Sequence, residues 1–98
     1  MASLRITEFR GAAQGMAGPV PVPIWPALAH QAVTIGTEAD SAAFNAATTL
    51  IRVQAEALCC IDIGTAPNAT TAMCRLTAGM TEYYAVSPGH ICSVITTT

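Results

Sequence analysis

TTLIRVQAEA, residues 48–57, leaves little choice of secondary structure: Ile51, Val53 and Ala55 alternate with Arg52, Gln54 and Glu56. A period of two sets the apolar residues on one side of a pleated strand and the polar ones on the other, a division no helix reproduces. The spacing predicts a half-buried strand. Weaker versions of the pattern recur. In residues 3–9 Leu4 and Ile6 oppose Arg5 and Thr7, and in residues 30–36 Val33 and Ile35 share a side. LCCIDIG (58–64), TTAMCRL (70–76), TEYYAV (81–86) and HICSVIT (90–96) are short and bounded by Gly, Pro or Asn turns. SAAFN (41–45) reads as a turn or short strand, because nothing around it sustains a helical period.

Short strands separated by polar turns predict an all-β fold: a small antiparallel β-sandwich or jelly-roll-like domain of about seven to eight strands. A chain of 98 residues has room for one such domain, residues 1–98. GAAQGMAGPVPVPIWP, residues 11–26, carries four prolines, which neither a helix nor a central strand tolerates. An extended Pro-rich N-terminal segment is expected there. The domain would then divide into an N-terminal strand and arm over 1–29 and the sandwich over 30–98.

Only 10% of the residues are charged against 52% hydrophobic, and lysine, a usual guard of exposed sheet edges, is absent. Such a surface suits coverage by partners. Leu4, Ile6, Phe9, Val20, Val22, Ile24, Trp25 and Tyr83 are the expected protein-interface residues. Trp25, between prolines, is read either as a plug over one end of the sandwich or as an anchor in a neighbouring subunit. Tyr83 and Tyr84 must point to opposite faces, one inward and one outward. With a formal net charge of −2, nucleic acid is not expected as a partner. No run of eighteen apolar residues suggests a membrane span, and Arg5, Glu8 and Arg10 interrupt any apolar leader. Folding in a cytoplasm, with the four cysteines as thiols, is the expectation.

Cys59 and Cys60, adjacent in a strand, point to opposite faces, and the zinc spacing C-x₂-C is missing. All four cysteines are read as packing, and Asp62 as an outward carboxylate. His30 and His90 have no nearby carboxylate in sequence to orient them. No catalytic residue, cofactor or metal ligand is expected, although Glu38 and Asp40 in the loop TEADS give a faint calcium hint. Asn68-Ala69-Thr70 matches a glycosylation acceptor by chance, and its asparagine suits a turn.

From Phe44 onward the order F…TT-L-IRV…C-IDIG-TAPNAT…L-TAGMTEYYAV-SPG-HICSVI resembles small virion proteins of tailed bacteriophages, capsid decoration or cement proteins with a β-sandwich or jelly-roll fold. The likeness covers the last half of the chain and rests on turns and strands. It implies a non-enzymatic structural protein of the virion, on the capsid surface, bound across subunits of the major capsid protein and to itself, as a trimer or next a dimer. A tail, baseplate or fibre module is the alternative, recognising host glycans with an exposed tyrosine, Glu38 and Asp40. A cysteine hydrolase using Cys92 and His90 is the third class.

Overall fold

The computed structural model describes residues 2–15 and 18–97; side chains from 13 to 22 lie outside the described residues. Among the described residues ten strands follow one another: β1 (Ser3–Phe9), β2 (Ala12–Gly15), β3 (Gly18–Pro23), β4 (Ala29–Thr34), β5 (Ala39–Asp40), β6 (Leu50–Ala55), β7 (Cys59–Gly64), β8 (Cys74–Leu76), β9 (Thr81–Ala85) and β10 (Ile91–Thr96). Eight build two four-stranded antiparallel sheets, ordered β4-β1-β6-β9 and β5-β10-β7-β8. From β4 onward the chain crosses between sheets at nearly every step, the jelly-roll-like wiring of a sandwich. Gly79 and Gly89, with φ of 83° and 82°, supply the left-handed residues for the turns on either side of β9.

The inner faces meet in one core. Leu4 and Ile6 of β1, Val33 of β4, Ile51, Val53 and Ala55 of β6, Cys59 and Ile61 of β7, and Cys92 and Val94 of β10 are buried there, with Ile35, Phe44 and Leu76. The alternation of residues 48–57 is therefore realised residue for residue, with Arg52 half-buried and Gln54 exposed on the other side.

β1 changes the expected division of the chain. It is a central strand, hydrogen-bonded to β4 on one side and β6 on the other, so no arm over 1–29 stands apart from a sandwich over 30–98. Leu4, Ile6 and Phe9 are at most 1% exposed and hold the fold together instead of meeting a partner. Burying each such side chain is worth about 1.5–3 kcal/mol, and three of them approach the whole stability of a small domain. Removing residues 1–26 would unfold the sandwich.

In the Pro-rich segment β2 pairs antiparallel with β3, so its described residues form a two-stranded ribbon. A two-stranded ribbon is all edge, which is why prolines fit it. Ile24 N–H donates to Gly11 C=O at 2.9 Å and closes the base of the ribbon, so Pro23, one residue back, turns its nitrogen outward where no donor is needed. The Trp25–Pro26 peptide that follows is cis.

One polar residue sits on the core side of β1. Glu8, 2% exposed, accepts hydrogen bonds from Asn45 N–H (2.7 Å), Thr48 Oγ (2.8 Å) and Gln31 Nε2 (2.9 Å). A buried carboxylate without donors would be strongly unfavourable; with three it clamps residues 45–48 onto the sheet.

Candidate functional site

Cys59, Cys60 and Cys92 are fully buried, and burial pushes Cys92 up to about 12 and Cys59 up to about 11, in each case with nearby thiols or carboxylates adding to it. A thiol so protonated is a poor nucleophile, and Cys92 lies in the core, so the Cys92 and His90 pair does not form a reactive centre. Cys74 departs from the packing expectation: it is exposed at the rim, on the three-residue strand β8, with its Sγ 3.7 Å from Tyr84 Oη. Desolvation first, then that contact, raises the Tyr84 phenol. Among the described residues no three His, Cys, Asp or Glu side chains gather as they would around a metal ion.

The outer face of the second sheet is closed by the chain itself. Residues 65–73 fold back over β7 and β10, where Ala69 N–H donates to Ser93 Oγ (3.0 Å), Ser93 Oγ donates to Glu38, Asn68 N–H donates to Asp62 (3.2 Å) and Cys60 Sγ contacts Thr71 C=O (3.6 Å). This covering is what buries Cys60 on the side away from the core. Glu38 is thus engaged on the second sheet while Tyr83 lies on the first, so the acids and the exposed tyrosine do not line one glycan site.

The outer face of the first sheet is open. Strand register sets His30, Thr7, Arg52 and Tyr83 in one row across four strands, with Ala32, Arg5, Gln54 and Thr81 in the next. A shallow depression of about 420 Å³ lies between His30, Thr7, Arg5 and Arg52. Arg5 Nε pairs with Glu56 Oε2 at 3.1 Å, and the Ser3 N–H together with Arg5 holds the Glu56 carboxyl below its ordinary range. Arg52 reaches only Thr7 Oγ1, at 3.4 Å, and among the described residues no carboxylate pairs with it.

Next to this polar field runs an apolar band. Phe9 and Leu50 face each other across β1 and β6, and Trp25 packs edge-on against Phe9 (ring centroids 5.1 Å, 74°) with His30 at 6.3 Å. Trp25 therefore covers Phe9 on the outer face rather than one end of the sandwich, yet stays 55% exposed. On the other flank, Tyr83, Leu50, Ala12 and Pro23 enclose an apolar cleft of about 180 Å³ at the base of the ribbon.

Of the expected interface residues, Trp25 and Tyr83 are presented to solvent, Ile24 is half-buried, Leu4, Ile6 and Phe9 are interior, and the side chains of Val20 and Val22 lie outside the described residues. Tyr83 and Tyr84 divide as expected, Tyr84 packing against the core. Arg52, Glu8 and Ser93 were not foreseen. The signal for two of them is present in the alternation: Glu8 keeps step with Leu4 and Ile6, and Arg52 keeps step with Leu50 on the outward side. Compared with known proteins, the chain matches no family model, no curated protein and no solved structure.

Proposed function

We propose that this chain is a non-enzymatic structural protein of a tailed-bacteriophage virion that decorates or cements the capsid, binding across neighbouring subunits of the major capsid protein with the open face of its first sheet. One observation supports this reading above the others: the exposed band of Trp25 and Tyr83 beside the Pro-rich ribbon, on a face the chain leaves uncovered while closing its counterpart. Aromatic residues lead interface preferences, and a band rimmed by Arg52, Gln54 and Thr81 matches a buried centre with a polar border. Lattice repetition makes modest contacts sufficient, because copies held on one shell share effective concentration.

The closed base of the ribbon gives the test. Joining Gly11 directly to Ile24 removes residues 12–23 without touching β1 or Trp25. The excised protein and Trp25→Ala are expected to stay folded by circular dichroism and to lose cosedimentation with undecorated heads of the encoding phage, while wild type saturates them. Full occupancy by both variants, or binding of wild type to purified tails and not to heads, overturns the reading.

A further inference from the structure

The four rims of the sandwich are treated differently. β5 and β8 are two and three residues long, too short to template a neighbour. Along β4 the chain's own hold is made by a side chain: Gln31 accepts from Ala42 N–H at 2.8 Å and donates to Ala42 C=O at 3.3 Å. β9 is five residues long, contains no proline, lysine or bulge, and among the described residues pairs on one side only, with β6.

The bonding parity of that pair shows what the free side offers. Ala55 N–H donates to Met80 C=O at 3.1 Å and Val86 N–H to Thr49 C=O at 3.0 Å. In an antiparallel ladder bonded positions alternate, so Glu82 and Tyr84 spend their backbone groups on β6 as Met80 and Val86 do. Thr81, Tyr83 and Ala85 therefore direct theirs away from the sheet.

We propose that β9 pairs antiparallel with β9 of a second copy about a two-fold axis through Tyr83, joining two first sheets into one of eight strands. The segment is complementary to itself. Thr81, Tyr83 and Ala85 meet Ala85, Tyr83 and Thr81 of the second copy, each facing pair exchanging both N–H···O=C bonds. Glu82 stands opposite Tyr84, so the one charge in the strand meets no like charge. The two Tyr83 rings, each 49% exposed, become cross-strand neighbours on the open face. A five-residue strand buries less than the ~1,000 Å² of a permanent interface, which makes the dimer concentration-dependent. The pairing stands apart from the capsid reading, since purified protein alone carries its test.

Sedimentation equilibrium on the full chain, from low to high micromolar, is expected to show a mass rising from 10.1 kDa toward twice that value. Tyr83→Lys and Tyr83→Glu each place like charges at the axis and should associate about tenfold more weakly or worse, while their equimolar mixture recovers association. Residue 83 is exposed and among the described residues its N–H has no partner in the monomer, so both variants should retain the wild-type circular dichroism. A monomer mass at every wild-type concentration overturns the proposal. So does a trimer mass, association of either variant at wild-type strength, or a mixture no stronger than its components.

Discussion

The two outer faces of the sandwich carry similar numbers of strands and opposite fates. On the second sheet residues 65–73 lie across the strands, and Ser93 and Cys60 are fully buried although they point away from the core. On the first sheet Trp25 covers Phe9 and Thr7 is buried between its neighbours, while Arg5, His30, Gln54 and Tyr83 face solvent. The chain thus spends a long loop on sealing one face and none on the other. A face left open beside a ribbon it also holds apart is where a partner has room, and pairing through β9 would double that face instead of hiding it.

Substitutions can break this contrast in order of expected effect. Phe9→Ala empties the apolar spot that Trp25 seals on the open face and should cost about 3–5 kcal/mol, read as a lower urea midpoint. Ser93→Ala attacks the sealed face by leaving the Ala69 N–H and the Glu38 carboxylate without their shared hydroxyl; about 1–3 kcal/mol is expected by the same measurement.

The buried thiols add a pH test. Their folded pKa values are raised above the unfolded value of 9.0, to about 11 for Cys59 and about 12 for Cys92. The unfolded chain then loses these protons first. Stability is complete below pH 9 and falls as pH rises through 11 and 12, by about 1 kcal/mol per thiol already at pH 10. Urea melts between pH 8 and pH 10 should show it, and Cys92→Ala should remove its share of the slope. Smallest is Arg52→Ala, within about 0.5 kcal/mol in stability because its hydrogen bond to Thr7 Oγ1, at 3.4 Å, is long. If the open face is the binding face, that substitution should still lower head occupancy, separating binding from folding.

Local pattern made part of this structure legible and no more. β6 was readable because Ile51, Val53 and Ala55 repeat within six residues, and the outward Tyr83 followed from the same rule. The place of β1 was not readable, since Leu4 pairs with Val33 and Ala55, far along the chain, and alternation says nothing of which strands flank it. Phe9 looked available for a partner because its cover, Trp25, lies beyond the ribbon. Cys60 was correctly read as packing, but what buries it is loop 65–73, a tertiary event. Cys74 shows the reverse: a residue type fond of burial sits at a rim too short to bury it. Glu8 entered the sequence reading only as a charge interrupting an apolar leader, although it keeps step with Leu4 and Ile6.

The central position of β1 also dictates an order of events during synthesis. β1 leaves the ribosome before either of its two neighbours, and one of them, β6, begins only at Leu50. At about 5–20 residues per second, the roughly 40 residues between Phe9 and Leu50 take about 2 to 8 s to make. Through that interval Leu4 and Ile6 have only β4 to pair with and no second sheet to cover them. A nascent chain stopped before Ala55 should therefore remain open to protease, and β1, made before both of its neighbours, is among the last strands to be enclosed.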